Sequence, residues 1–297
     1  MKSVLFVDDE PNVLEGFRAS LRKERKRWEV ATAPRSEAAL LELRAAPFDV
    51  IVSDIRMPGM DGATLLRRVK DEFPGVVRIL LSADAERDAV VRGLPVSHQF
   101  LSKPCDTRTL AGVLQRVRDL HDLLPDDSLR SVAGRFEWLP CLPQAHETLT
   151  RALLESDVSV ADVTKIVEHD PALCAKVLQV ANSSYFGLAQ PVNVGHALGD
   201  LGVELVRTLA LTAQVFRPLD GTSTPSAFSL DVLQRHCVVT ARVARQLLVD
   251  PKQQAEAFTA ALLHDIGMVV LALGVPDRLA GITAAFEADG QPMHVAE

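Results

Sequence analysis

The sequence predicts two domains: an α/β doubly wound domain built on a five-stranded parallel sheet, and an all-α domain after it. Short apolar runs alternate with amphipathic stretches up to about residue 121, which is typical of a parallel sheet between two helix layers. Beyond that point strand patterns stop and helical periodicities follow one another. A length of 297 residues is sufficient for two domains of this kind.

Five strands are predicted, and the third contains the continuous apolar run Val50, Ile51 and Val52, as a strand buried on both faces does. The five strands cover residues 4–7, 28–31, 49–53, 77–81 and 98–101. Amphipathic helices are predicted between them, for example over residues 36–44 and 64–72, and a helix over residues 110–120 closes the domain.

Charge is distributed unevenly along the chain. Residues 1–130 contain 21 basic and 21 acidic residues, so the net charge of −7 belongs to residues 131–297. An acidic region without a basic stripe argues against nucleic-acid binding. We interpret the basic run LRKERKRW, residues 21–28, as a solvated last helical turn whose cations face the negative end of the helix dipole, rather than as a binding patch.

The sequence predicts a cytoplasmic protein without a membrane segment. The N-terminus, MKSVLFVDDE, enters a strand at once, and the apolar run MVVLALGV is too short to span a bilayer. The four cysteines are scattered singly, without the CxxC spacing of a zinc knuckle and without the pattern of a disulfide framework.

Polar residues follow the ends of four predicted strands, and such ends meet at one edge of a parallel sheet. These residues are Asp8, Asp9, Asp54, Ser82 and Lys103. Three crowded carboxylates repel one another unless a hard cation such as Mg²⁺ lies among them. Asp54 could then attack phosphorus, with the metal and Lys103 neutralising charge and Ser82 donating a hydrogen bond to a phosphoryl oxygen.

Four motifs in the first domain resemble the receiver domain of two-component response regulators, over about residues 1–121. They are VDDE after the first strand, SDIRMPGMDG at the third, LSA at the fourth and FLSKP at the fifth. The resemblance implies that Asp54 accepts the phosphoryl group. It also implies that Asp9, Asp54 and the backbone carbonyl of Arg56 ligate Mg²⁺, and that Asp8 supports the metal through water.

The same resemblance assigns the remaining motif residues. Ser82 is implied to be the switch hydroxyl, Phe100 the switch aromatic, and Lys103 the phosphate-pairing lysine, followed by a cis bond to Pro104. The alternative is a flavodoxin-like domain whose surface acids share no role. The recurrence of all the motif elements at predicted strand ends argues against that alternative.

A linker is predicted over residues 122–130, where a proline and paired acids interrupt the helical period, so the second domain covers residues 131–297. Ser159 with Asp162 predicts a capping box, and Asp170 is predicted to cap the next helix. Further helices are predicted over residues 203–216, 230–248 and 254–264.

Four segments of the second domain resemble the HD-related output domain, HDOD. They are WLPCLPQ (138–144), EHDPALCAKVLQVANSSYFG (168–187), HALGDLGVELVRTLAL (196–211) and ALLHDIG (261–267). This family shares the helical core of metal-dependent HD phosphohydrolases, yet many members lack a full metal site and act as regulatory output modules. Members usually extend further than this chain, so we expect the HDOD domain to be truncated at its C-terminus.

Three residues of the second domain are candidate metal ligands: His236, His264 and Asp265. HD hydrolases bring a further aspartate from a later helix. Only Asp277, predicted to lie in a loop, and Asp289 remain. One interpretation is a vestigial site, with His236 packed in the core and Asp265 capping neighbouring backbone. The other is a working metal centre, for which missing C-terminal helices could supply the fourth ligand.

Together these features predict a response regulator that a sensor histidine kinase phosphorylates on Asp54. The HDOD domain, to which no cofactor is assigned, would relay the signal by binding a downstream protein, and a homodimer through the receiver domain is compatible with this scheme. Movement of Ser82 toward the phosphoryl group, followed by Phe100, would switch the output. The alternative function is a phosphorylation-gated, metal-dependent HD phosphohydrolase.

Overall fold

The computed structural model describes residues 2–24, 26–83, 93–136, 139–155, 157–182, 193–212 and 228–289. These residues form two compact units, which divide at residues 137 and 138. The first unit is a parallel α/β sheet domain and the described part of the second is almost entirely helical. The predicted fold class is therefore confirmed.

A parallel sheet forms the centre of the first unit. Its strands are β1 (Lys2–Val7), β2 (Trp28–Ala33), β3 (Val50–Asp54), β4 (Val77–Ala83) and β5 (Gln99–Lys103). Their order across the sheet is β2-β1-β3-β4-β5, and each neighbouring pair is parallel. β3 lies in the middle, and its residues are buried, as the unbroken apolar run VIV predicts.

Helices cover both faces of this sheet. They are α1 (Pro11–Ser20), α2 (Ser36–Ala45), α3 (Gly62–Glu72), α4 (Thr107–Leu123) and α5 (Asp127–Arg135), with a 3₁₀ turn at Leu21–Glu24. The helix α1 packs on β1, where the rings of Phe6 and Phe17 stack with centroids 4.6 Å apart. Apolar side chains of α1, α4 and the sheet share one buried cluster.

Six of the nine residues predicted as a linker, 122–123 and 127–130, are helical. Asp126 accepts a hydrogen bond from the N–H of Ser128 and so caps α5, which belongs to the first unit. The paired acids at 126 and 127 therefore begin a helix, since aspartate favours the N-cap and the first turn. The division of the chain into residues 1–121, 122–130 and 131–297 stays a prediction.

The second unit is a set of packed helices. They are α6 (Pro143–Leu154), α7 (Val160–Val167), α8 (Pro171–Ala181), α9 (Val194–Leu201), α10 (Val203–Thr212), α11 (Leu230–Gln246), α12 (Pro251–Leu263), α13 (Gly267–Gly274) and α14 (Pro276–Asp289). Ser159 and Asp170 cap α7 and α8 as predicted. Asp277 lies in the first turn of α14, so its predicted loop position is wrong: Pro276 begins a helix there.

Among the described residues, one stretch is long and apolar enough to cross a membrane by length and composition alone. It covers Pro251–Gly274, with a mean hydropathy of 1.8. A turn at residues 264–266 divides it into α12 and α13 and places His264 and Asp265 at its middle. Polar residues at the centre of a span are costly in lipid, so this stretch is weak evidence for a membrane segment.

Candidate functional sites

The carboxyl edge of the sheet gathers the acidic residues of the first unit. Asp54 ends β3, and Asp8 follows β1, whose last residue Val7 pairs with Ser53. One carboxylate oxygen from each of Asp8, Asp9 and Asp54 lies within 4.8 Å of the others. Asp8 and Asp54 are buried and Asp9 is exposed. Such a set of oxygens fits a hard divalent cation with water as its further ligands.

Lys103 joins two of these acids. Its Nζ lies 2.8 Å from Oδ2 of Asp8 and 2.8 Å from Oδ1 of Asp54. The other oxygen of Asp8 accepts the N–H of Glu10 at 3.0 Å. The end of β5 therefore places a cation directly beside the carboxylate that ends β3.

Burial and charge shift the ionisation of this group. Burial raises the pKa of Asp54 and the nearby charge of Asp8 acts in the same direction, although the hydrogen bond and charge of Lys103 oppose them. For Lys103, burial would lower the pKa, but the hydrogen bonds and charges of Asp54 and Asp8 outweigh it and raise the pKa. Lys103 therefore remains a cation.

The remaining residues of the predicted receiver site are Ser82 in β4, Phe100 in β5 and Arg56 in the loop after β3. Ser82, in β4, is fully buried opposite Ser102. Phe100, in β5, is 2% exposed, and its ring lies where a Cβ on Gly93 would approach within 2.9 Å. Arg56 is exposed in the loop after β3. The peptide bond from Lys103 to Pro104 is cis, as the resemblance implied.

Gly62, the last residue of the motif SDIRMPGMDG, lies against the backbone of Asp54, a contact that the motif did not predict. A Cβ at this position would lie 2.0 Å from the carbonyl oxygen of Asp54. The N–H of Gly62 donates to the carbonyl of Ile55 at 2.9 Å. The start of α3 thus rests directly on the backbone of Asp54, and only glycine fits. The signal was present in the MDG run that follows Asp54.

The second candidate site lies where α11 meets the turn after α12. Ligand atoms of His236, His264 and Asp265 lie within 4.8 Å of one another. The two Nε2 atoms are 3.2 Å apart, and Oδ2 of Asp265 lies 3.4 Å from Nε2 of His236 and 3.0 Å from Nε2 of His264. The three predicted ligands therefore converge.

The hydrogen bond from Nδ1 of His264 shows which ring nitrogen carries the proton. Its Nδ1 lies 2.7 Å from the carbonyl oxygen of Ala261, so this nitrogen carries the proton and Nε2 carries the lone pair in the neutral ring. Two lone pairs, on Nε2 and on Asp265, then face each other at 3.0 Å. Such an approach needs a shared proton or a cation, and a donated Nδ1–H is typical of metal-binding histidine.

Exposure corrects one part of the vestigial interpretation. The side chain of His236 is 55% exposed, and those of His264 and Asp265 are 36% and 39% exposed. His236 therefore does not pack in the core. Cys237, the next residue of α11, is buried instead.

Comparison with known proteins assigns the two units. A family model described as the HDOD domain matches residues 139–297, more than half of the chain. This chain belongs to the HDOD family. A second family model, the response regulator receiver domain, matches residues 4–115 of the HDOD protein. The N-terminal unit is thus a receiver domain, and receiver domains are generally Mg²⁺-dependent. The recognised segments around Trp138 and residues 183–187 lie outside the described residues.

Curated relatives match the receiver domain. The transcriptional regulatory protein CseB of Streptomyces coelicolor is 35% identical over 115 residues, which are 38% of this chain and 48% of CseB. The sensor kinase CckA of Brucella abortus is 33% identical over 122 residues, 40% of this chain and 13% of CckA. The matched region spans less than half the length of these relatives.

Solved structures match the same part of the chain. One is described as the signal receiver domain of an HD domain-containing protein from Pseudomonas fluorescens. It is 25% identical to this HDOD protein, with a TM-score of 0.39, and the match covers 42% of this chain and 91% of the other.

Proposed function

We propose that this HDOD protein is a cytoplasmic response regulator whose Asp54 takes a phosphoryl group from a sensor histidine kinase. The supporting observation is the position of Asp54, within 4.8 Å of two further carboxylates and 2.8 Å from the Lys103 ammonium. This arrangement combines a carboxylate nucleophile with the charge needed to stabilise a transferring phosphoryl group.

In the proposed reaction an oxygen of Asp54 attacks phosphorus while the bond between phosphorus and the donor nitrogen breaks. The product is an acyl phosphate on Asp54 and a free histidine on the kinase. Mg²⁺ held by Asp9, Asp54 and the Arg56 carbonyl, with Asp8 supporting it through water, would neutralise charge on the phosphoryl oxygens. Lys103 and the Ser82 hydroxyl would bind those oxygens in the product.

Labelling of the full chain tests this proposal. A small phosphodonor with Mg²⁺ should add one phosphoryl group to the wild-type chain, while Asp54→Ala takes up none and Lys103→Ala takes it up much more slowly. Asp9→Ala should abolish Mg²⁺ binding. Persistent labelling of Asp54→Ala would rule out Asp54 as the acceptor, and unchanged Mg²⁺ affinity in Asp9→Ala would rule out its ligand role.

We further propose that the HDOD domain delivers the output by binding a downstream protein, without catalysis. His236, His264 and Asp265 provide three ligands among the described residues, whereas a catalytic metal needs ligands that hold its geometry and an open position for water. The net charge of −7 on residues 131–297 would also repel phosphorylated substrates.

The second candidate function, a phosphorylation-gated metal phosphohydrolase, is favoured by one observation: the facing lone pairs of His264 and Asp265. Imidazole and carboxylate ligands suit a transition metal. Metal analysis of the purified chain separates the two functions. Under the enzyme hypothesis the wild-type chain retains a transition metal that His264→Ala with Asp265→Ala loses, and it shows phosphoesterase activity. Under our proposal neither property is found.

A further inference from the structure

A buried arginine, Arg78, lies near the amino ends of the receiver strands, whereas Asp54 lies at their carboxyl ends. Arg78 is the second residue of β4 and is 1% exposed. Its N–H donates to Nδ1 of His98 at 2.9 Å, and its carbonyl accepts the N–H of His98 at 2.8 Å. A buried guanidinium is tolerated only where its donors are satisfied, so its partners show what it holds together.

The guanidinium of Arg78 binds main-chain carbonyls from three segments. Nε donates to Val96 at 2.7 Å, in the turn before β5. Nη1 donates to Pro74 and Val76, each at 3.2 Å, in the loop before β4. Nη2 donates to Gly134 at 2.8 Å, in the last turn of α5. The rigid fork of arginine suits such simultaneous contacts better than a lysine would.

The helix α5, here called the connector helix, also contacts the receiver backbone directly. A Cβ on Gly134 would lie 1.8 Å from the carbonyl oxygen of Pro74, and a Cβ on Gly75 would lie 3.3 Å from the hydroxyl of Ser131. With main chain against main chain, the helix cannot shift without changing the hydrogen bond from Arg78 to Gly134.

On the side away from the connector helix, the contacts of Arg78 lead to Phe100, the predicted switch residue. The turn that contains Val96 begins at Gly93, and the ring of Phe100 packs against Gly93. Contacts therefore run from Phe100 through Gly93 and the turn to Arg78, and from Arg78 to Gly134. Coupling through packed contacts of this kind requires an element with two arrangements, which the proposed phosphorylation would supply.

We propose that Arg78 is a positioning residue that couples the turn before β5 to the connector helix, so that a displacement at Phe100 moves the helix that leads into the HDOD domain. This proposal builds on the proposed phosphorylation of Asp54. Loss of the guanidinium should leave phosphoryl transfer intact but stop its effect on the connector helix.

Hydrogen–deuterium exchange of the full chain, with and without a small phosphodonor and Mg²⁺, tests the coupling. In the wild type, phosphorylation should change exchange over residues 127–135 by about threefold or more. In Arg78→Met, exchange there should rise by about tenfold before phosphorylation and show no further response, while Asp54 is labelled at a rate within about twofold of wild type. Arg44→Met is the matched control, because Arg44 is an exposed receiver arginine paired with Glu72.

A second variant keeps the test decisive if Arg78→Met does not fold by circular dichroism. Gly134→Ala leaves Arg78 in place but forces the connector helix away from Pro74, so it too should lose the phosphorylation response. A labelled wild-type chain without a response at residues 127–135, or variants that respond like wild type, would overturn the coupling. If the wild-type chain takes up no phosphoryl group, that result contradicts the proposed function and not the coupling. In that case the coupling is tested by exchange over residues 127–135 without phosphorylation, and equal exchange in wild type and Arg78→Met would overturn it.

Discussion

Asp49 is held by three neighbours at the amino edge of the receiver sheet. It accepts the N–H of Ser3 at 2.7 Å and lies 3.3 Å from Nζ of Lys2 and 3.1 Å from Nδ1 of His121. Burial alone would raise the pKa of Asp49, but the hydrogen bonds of His121 and Ser3 and the charge of Lys2 lower it far below the ordinary 3.8. The folded state therefore favours the ionised carboxylate.

We expect Asp49→Asn to destabilise the receiver at neutral pH by about 1–3 kcal/mol. Because the folded pKa lies below the unfolded one, the ionised carboxylate contributes fully above pH 3.8, the unfolded value, and its contribution is lost as the pH falls further. The difference in urea midpoint between wild type and variant should shrink toward about pH 3. Asp71→Asn, at an exposed position, is the control. A pH-independent difference would contradict this account.

If Asp54 is phosphorylated as proposed, Gly62→Ala should slow its labelling by about tenfold to hundredfold, because the new methyl group must displace the backbone of Asp54. The initial rate of labelling by a small phosphodonor measures this. Gly16→Ala is the matched control, since a Cβ at Gly16 meets nothing within 4 Å, and it should label at the wild-type rate. Normal labelling of a folded Gly62→Ala chain would show that the contact does not position Asp54.

At the level of secondary structure, Asp170 connects two helices of the HDOD domain. One oxygen accepts the N–H groups of Ala172 and Leu173 and so caps α8, and the other accepts the N–H of Leu142, the N-cap residue of α6. Burial raises the pKa of Asp170, although these three N–H groups oppose it. The conspicuous DPAL motif thus has a structural role.

Asp170→Ala should therefore destabilise the HDOD domain by about 2–4 kcal/mol. The variant removes the cap of α8 and leaves buried N–H groups without a hydrogen-bond acceptor. Asp250→Ala removes an exposed cap of α12, where Asp250 accepts the N–H of Gln253 at 2.9 Å, and should cost about 1 kcal/mol. Thermal unfolding of the two variants compares them. Equal losses would mean that the contact with Leu142 contributes nothing.

The sequence could locate the strands and the capped helices because their signals are local. The run VIV before Asp54 shows burial on both faces, and Ser159 with Asp162 shows a helix start. Two other features depend on tertiary contacts. The start of α5 at Asp127 looked like a break in helical period, and the close approach of Gly62 to Asp54 follows from how α3 packs, which no local pattern records.

Residues distant in sequence were harder to place in the second unit. The sequence spacing between His236 and His264 allows a common site, but it does not predict how exposed either side chain is. The antiparallel packing of α11 and α12 brings the two rings together at the surface, whereas the vestigial interpretation placed His236 in the core.

At the scale of the whole molecule, the two candidate sites belong to different compact units. We expect His264→Ala with Asp265→Ala to leave the labelling rate of Asp54 within about twofold of wild type and to leave signalling output in cells largely intact. Circular dichroism checks the fold, and Asp54→Ala is the control that should lose output. A folded double variant without output, together with metal-dependent phosphoesterase activity in the wild type, would establish the enzyme instead.

The contact between Gly134 and Pro74 determines where a foreign receiver domain can be fused to this output domain. A gene fusion that joined a foreign receiver to this output domain at residue 121 would leave the connector helix without the proline carbonyl and the guanidinium that hold it. A fusion joined after residue 136 would transfer the receiver with its helix attached. Domain exchange in this architecture should therefore succeed at the later junction and give poorly regulated hybrids at the earlier one, which a pair of chimaeras can compare.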